Sequence, residues 1–287
     1  MTGRAMKKQA PWRGGPRPPG PGLAALDVLV GFVTISFLEM RAYMGSSALR
    51  LVQYPVKLVV MYFLWRAVTG AAPGRLGLDF DTLTAYYAIS ILIGLMYSFR
   101  RVAAQTEHDI RTYAVDLHLC RPLPYWVKPA APMVLSLAGY LALALPCGLA
   151  AFTLLRLPLP DPERVLAAVT CLLAAVPLRF LVWYIIGLSA FWTEETSGLA
   201  NIFSWVESLL SGMLIPFALL PSAVAAVARW LPFQAYAALP IEVALGLRPP
   251  VEVLGRVGAL ACWTVLLMVA GRAVWVRGRR AYQSGGG

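Results

Sequence analysis

The sequence predicts an all-α polytopic membrane protein. It has six transmembrane helices, an N-terminal amphipathic helix lying in the membrane interface, and both termini in the cytoplasm. Three observations carry that prediction. The 287 residues are 59% hydrophobic and only 14% charged, against roughly 25% charge in soluble domains. The apolar residues fall in runs near or above the ~18–20 needed to cross a hydrocarbon core, without the alternation of a soluble helix. The basic residues gather at the ends of those runs, where membrane topology puts them.

Residues 1–22 are rich in Pro, Gly and bases and are expected to be a disordered basic tail. They are too polar for the apolar core of a signal peptide. Residues 23–44, LAALDVLVGFVTISFLEMRAYM, are apolar but interrupted by Asp27, Glu39 and Arg41. The clean core, Val28–Leu38, is eleven residues long, short of a span. An interfacial helix is expected there, with an extra span as the rival reading.

From there to residue 278 the chain reads as one transmembrane domain. Span 1 is Ser47–Val68, with Pro55 and Lys57 inside it, and span 2 is Leu83–Ser98. Span 3 is Ala130–Leu155, span 4 Val165–Trp192, span 5 Gly198–Leu219 and span 6 Val253–Val276. The tight loop Thr193–Thr196 makes spans 4 and 5 antiparallel neighbours. Residues 221–250 are half apolar and broken by prolines. They read as an extracellular segment of surface-lying helices or a re-entrant element, since a plain loop would leave apolar surface exposed. Residues 279–287 are a cytoplasmic tail.

Counting the bases sets the orientation. With both termini inside, sixteen of the twenty-five Lys and Arg lie on the inner side and seven on the outer, as the positive-inside rule requires. Lys57 and Arg179 remain within spans. The same placement argues against nucleic acid as the partner of a chain with net charge +11. Cys120, Cys147, Cys171 and Cys262 have no CxxC or Cys–His spacing and read as small apolar fillers, so no metal site is expected.

Between spans 2 and 3 the chain turns polar. The stretch Arg100–Lys128 holds both histidines, three of the fourteen acids and five of the twenty-five bases. Six spans with inner termini place it in the cytoplasm, where residues 104–127 can meet a soluble partner. Glu107, Asp109, Arg111 and Asp116 offer charges on a short helix, and Leu117, Leu119 and Tyr125 offer apolar anchors for a groove. Arg121 and Pro122 end that helix. The competing reading is a solvated loop that only satisfies topology. The chain has no GxxxxGK[ST] phosphate cradle. No span contains His, which disfavours a Ser–His or zinc-based intramembrane protease, and no residue is assigned a catalytic role.

Five segments then occur in order: DIRTYAVDLHLCRPLPYW, FWTEETSGLANIF, LLSGMLIPFALLPSAV, WLPFQAYAALPIEVALG and VRGRRAYQSGGG. Together they resemble the export-type (type 2) permease subunits of ATP-binding cassette transporters, most of all a bacterial six-span branch encoded beside a separate ATPase. The resemblance covers most of the chain after Arg41. It implies a permease in the bacterial plasma membrane that works as half of a permease dimer, with a second copy or with a different permease. It implies a cytosolic ABC ATPase that grips Glu107–Tyr125 as a coupling helix. ATP and Mg would sit on that partner, and no cofactor is expected in this chain. Residues 23–44 would be the connecting helix and 221–250 the extracellular gate. One departure stands out: members often carry Gly where this chain has Tyr113.

Charges inside spans are costly and usually functional. Arg179 lies ~20 Å above the inner end of span 4 and Glu207 ~18 Å above the inner loop, at 1.5 Å per residue. They either pair across spans 4 and 5, so that neither is buried alone, or face a water-filled path and read substrate charge. Asn201, Ser204, Ser208 and Ser211 share one face of span 5. That face either packs helices through small residues or lines a translocation path, and its mixed lining suggests an amphipathic or lipid-like cargo. The alternative from another class is a stand-alone secondary transporter or channel. It predicts inverted repeats and helices broken at mid-membrane, and no repeat is legible.

Overall fold

A computed structural model describes residues 44–71, 77–96, 99–119, 124–193 and 195–282. The basic tail, the 23–44 helix up to Tyr43, and Arg121 lie outside the described residues. Ten α-helices appear among the described residues: α1 Met44–Ala71, α2 Phe80–Met96, α3 Arg100–Arg111, α4 Ala114–Leu119, α5 Val127–Leu154, α6 Pro162–Leu188, α7 Ser197–Leu210, α8 Ser222–Trp230, α9 Ala238–Ala244 and α10 Val251–Ala281. Short 3-10 turns occupy Ser189–Phe191, Phe217–Leu219 and Pro232–Tyr236, and no strand is present among the described residues.

Among the described residues, three stretches are long and apolar enough to cross a membrane by length and composition: Phe80–Arg111, Pro162–Phe191 and Val251–Ala281. Helices α1 and α5 are 28 residues each, about 42 Å at 1.5 Å per residue, also longer than a ~30 Å hydrocarbon core.

Helix α6 is the hub, packing against α3, α9 and α10. Its C-terminal half meets α3 at close range. A Cβ at Gly187 would lie 2.6 Å from the Thr106 Cβ and 3.0 Å from the Ala103 Cα. Only glycine permits that approach. Helix α3 turns one face into this contact, burying Val102, Ala103, Thr106, Asp109 and Ile110 at helical spacing. The first half of the polar stretch is therefore a packed helix, not a free loop.

Span 5 departs most from expectation. A helix was expected over Gly198–Leu219, but α7 stops at Leu210. The chain breaks at Gly212, whose φ is +77°, a left-handed conformation that favours glycine. Pro216 follows within one turn, and its ring disfavours helical backbone at the residue before it. Apolar composition does not distinguish a continuing helix from a buried break. The segment after the break is folded inward: all seven residues of α9 are buried. Ala235, Tyr236, Leu239 and Val243 form a core with Cys171, Ala175 and Leu178 of α6 and with Val253 and Leu260 of α10. Residues 232–244 are thus packed into the protein core and are not a plain surface loop.

Candidate functional site

Irregular backbone inside an apolar layer needs hydrogen-bond partners. Helix α2 supplies them to the break after α7. The hydroxyls of Tyr86, Ser90 and Tyr87 donate to the carbonyls of Gly212, Met213 and Leu214 at 2.7, 2.9 and 2.8 Å. The i, i+1, i+4 spacing brings all three to one side of α2. The Ala238 N–H donates to the Ser211 carbonyl at 2.8 Å, tying α9 to the same break. A Cβ on Gly212 would meet the Ala238 Cβ at 2.7 Å and the Tyr86 Oη at 3.1 Å.

Just inward of the break, the Arg179 Nε of α6 meets the Glu207 Oε1 of α7 at 2.5 Å. The guanidinium carbon also lies 4.8 Å from the centre of the Phe99 ring and 5.3 Å from that of Tyr236. Phe99 immediately precedes α3, and Tyr236 ends the turn before α9. One arginine of α6 therefore touches three segments that are distant from it in sequence. A small pocket beside it is lined by Phe99, Leu172, Ala175, Val176, Arg179 and Tyr236.

The polar face expected on span 5 is mostly occupied with its own backbone. The Ser208 Oγ donates to the Ser204 carbonyl at 2.8 Å, and the Ser211 Oγ to the Ser208 carbonyl at 3.3 Å. The Ser211 Oγ also accepts from the Met213 N–H at 3.3 Å, capping the break. Ser204 is half-buried, and Asn201 is exposed and accepts from the Arg100 guanidinium at 2.6 Å. The outward face of α7 is apolar: Leu199, Ile202, Trp205 and Val206 are all exposed.

At the polar end, the residues grouped by sequence as a docking surface separate into two sets. Asp109 and Tyr125 are buried, at 4% and 5% exposure. The Tyr125 hydroxyl donates to Asp109 Oδ2 at 2.7 Å, and Lys128 Nζ donates to Oδ1 at 2.8 Å. Burial, then the Asp109 carboxylate beside it, push the Tyr125 phenol well above its usual range, so it stays a donor. These two residues form a latch between α3 and the start of α5, and both face inward. Both were expected on the docking surface, Asp109 among its charges and Tyr125 among its apolar anchors; a carboxylate among apolar residues needs partners, and Asp109 has them in Tyr125 and Lys128.

Glu107 is partly buried, accepts from the Thr196 hydroxyl, and pairs with Arg111 at 3.5 Å. Arg111 and Tyr113 form the outward tip, with an Arg111 side chain 55% exposed and Tyr113 50% exposed. Tyr113 adopts φ +58°. The chain turns there through a left-handed residue, costing roughly 1–2 kcal/mol for a side chain other than glycine. Asp116 is half-buried in α4, and Leu119 ends that helix.

Sequence reasoning missed the aromatic residues that brace this tip. Tyr125 stacks on Trp275 of α10, ring centres 5.1 Å apart and planes 3° apart. Phe191 meets Trp275 and Tyr282 edge-on at 5.8 and 5.6 Å. It missed the three hydroxyls of α2 as well. The i, i+1, i+4 pattern of Tyr86, Tyr87 and Ser90 was the available signal, in an otherwise apolar helix.

On the far side of α6, Arg248 pairs with Glu242 of α9 at 2.6 Å and with Glu252 of α10 at 3.3 Å. The Arg164 guanidinium of α6 lies against Gly246, whose φ is +75°. Two charges on α9 and α10 are thus joined through one arginine beside the start of α6.

Residues 56–286 match the family described as ABC-2 family transporter protein. No curated protein and no solved structure matches the chain. The family match covers well over half of the sequence, and the chain belongs to the ABC-2 family of transporter proteins, as a multi-pass membrane permease component.

Proposed function

We propose that this ABC-2 family permease is the membrane subunit of an ATP-binding cassette exporter in the bacterial plasma membrane. It has six spans and both termini in the cytoplasm. The spans are α1, α2 continued by α3, α5, α6, α7 with its re-entrant segment, and α10. A cytosolic ABC ATPase binds and hydrolyses ATP with Mg, and this chain contributes half of the translocation path. The other half is a second permease, identical or different, against the apolar face of Leu199, Ile202, Trp205 and Val206.

The observation that carries this reading is the tip at Arg111–Tyr113. A rigid helix ends in an exposed arginine and a half-exposed tyrosine on a left-handed turn. Behind the tip, the Asp109 latch and the Glu107–Thr196 contact fix α3 to α5 and to the start of α7. A load applied at the tip therefore moves packed helices instead of a floppy loop. Closure of the ATPases on ATP pushes the tip, and α3 passes the displacement to α6 and to the Arg179–Glu207 node beside the re-entrant segment. Arg179 and Glu207 act as a paired structural joint in this scheme. Transport is outward, and the cargo is amphipathic, matching the apolar walls and few polar groups around the node.

One observation favours the other class. A helix broken at membrane depth is a feature of stand-alone secondary transporters. Here the freed carbonyls are capped by hydroxyls of α2 and are not offered to an ion, which supports the ATP-driven reading. Purification of the tagged chain from its own membranes separates the two. An ABC ATPase in the complex, hydrolysing ATP, is the expected result. A chain that purifies without an ATPase, and whose transport survives ATP depletion, excludes it.

A further inference from the structure

We infer that the inner end of α10 belongs to the coupling apparatus, with Trp275 and Tyr282 as positioning residues that make the sixth span the lever of the docking tip. The inference rests on the ATPase-driven reading above. Its basis is a run of aromatic contacts that joins the tip to one helix. Tyr113, at the tip, lies against Tyr282 with ring centres 6.1 Å apart. Tyr125, held by the Asp109 latch, lies flat on Trp275 at 5.1 Å. Phe191, in the turn after α6, is wedged against both Trp275 and Tyr282. The α10 backbone comes so close to this wedge that a Cβ on Gly278 would run into the Phe191 ring. The Arg279 guanidinium lies 5.8 Å from the centre of the Trp275 ring.

The Tyr282 phenol is pushed up to about 12 by burial and then by the Asp116 carboxylate of α4. Tyr113, just before α4, and Tyr125, just before α5, thus both rest on the aromatic cluster at the end of α10.

The rest of α10 fits a lever. Only Val253, Leu260, Gly271 and Gly278 are buried along its 31 residues. Gly271 and Gly278 serve the inner half, against Ile185 and Phe191. Val253 and Leu260 serve the outer half, in the core that holds Ala235, Tyr236, Leu239 and Val243 of the re-entrant segment. Arg248 adds an outer tie, through Glu252 on α10 and Glu242 on α9. One helix, packed along α6, therefore links the tip to the re-entrant segment. Coupling between distant sites is carried by packed elements that both sites bias, and α10 reaches the tip through its own aromatic contacts, in addition to the contact of α3 with α6.

The test uses the complex of this chain with its co-purified ATPase in lipid nanodiscs. Spin labels are introduced through non-natural amino acids at the exposed positions 230, on α8, and 254, on α10. The distance between them is read with and without ATP under vanadate trapping. The expected result is an ATP-dependent change of distance in the unsubstituted chain. Trp275→Ala reduces it at least twofold, while the ATPase stays bound and hydrolysing, and Trp275→Phe, which keeps a stacking ring, restores it. A full-sized change in Trp275→Ala, or none in the unsubstituted chain, overturns the inference. If Trp275→Ala does not fold, Tyr282→Ala, beyond the end of the helix, is read by the same criteria. Absence of any ATPase from the unsubstituted complex refutes the ATPase-driven reading itself, an outcome distinct from an ATPase that binds without needing Trp275.

Discussion

Arg179 on α6 and Glu207 on α7 form an ion pair 2.5 Å long, with side chains only 12% and 5% exposed. Removing one partner of a buried pair leaves a lone charge in a poorly polar site, at a cost of about 3–5 kcal/mol. Arg179→Met and Glu207→Met should each lower stability by that order. The double variant should recover most of the loss, because two apolar side chains replace two charges. Thermal unfolding of the four proteins in nanodiscs checks this as a double-mutant cycle. Additive losses would contradict the pairing.

Asp109 lies at the centre of the latch that holds α3 to α5. Asp109→Ala strands Lys128 and the Tyr125 hydroxyl and should cost about 3 kcal/mol. Tyr125→Phe, which removes one hydrogen bond, should cost about 1–2 kcal/mol. Charge reversal at Asp109 should therefore reduce the yield of folded protein, whereas Arg111→Glu, at the exposed tip, should leave folding intact. Size-exclusion profiles of the four variants in detergent test the ranking. A well-folded Asp109→Lys protein would refute the latch.

Gly212 is required on two grounds, its φ of +77° and the 2.7 Å approach to Ala238. Gly212→Ala should cost about 2–4 kcal/mol, from left-handed strain and from overpacking. The loss should appear as a lower unfolding temperature. An unchanged unfolding temperature would mean that the break relaxes freely.

The α2 hydroxyls should behave as a set. Tyr86→Phe, Tyr87→Phe and Ser90→Ala each leave one carbonyl of the break without its partner, at about 1–2 kcal/mol apiece. Hydrogen exchange measured across residues 208–216 should rise in each variant while the exchange of α6 holds steady. Equal rises in both regions would mean that the hydroxyls support the whole fold and not the break.

Much of this architecture was legible in the sequence because burial in lipid needs long apolar runs. α1, α2, α5, α6 and α10 lie where the runs are. Arg179 and Glu207 stood out because charges in spans are rare and a four-residue loop brings α6 and α7 together, but the sequence left open whether they pair or face a water-filled path; the 2.5 Å contact is a tertiary fact. The break after Leu210 was not legible: LLSGMLIPFALL is apolar apart from Ser211, Gly and Pro are both frequent in membrane helices, and whether such a run stays helical depends on hydroxyls more than a hundred residues away. Asp109 and Tyr125 were read as surface residues because charge and aromaticity alone do not reveal which way a helix turns. The Gly187 contact with Ala103 and Thr106 decides that, and it is tertiary. Tyr113 stands where the family resemblance led glycine to be expected, and its left-handed φ is a conformation that glycine favours.

The central claim is that an ABC ATPase docks on the tip at Arg111–Tyr113. A photo-crosslinking amino acid placed at Tyr113, and separately at Trp230 on the re-entrant side, tests it in intact cells. The account predicts a crosslink from position 113 to an ABC ATPase, weakened by Arg111→Glu, and no ATPase crosslink from position 230. An ATPase captured equally from both positions, or from neither, would contradict it.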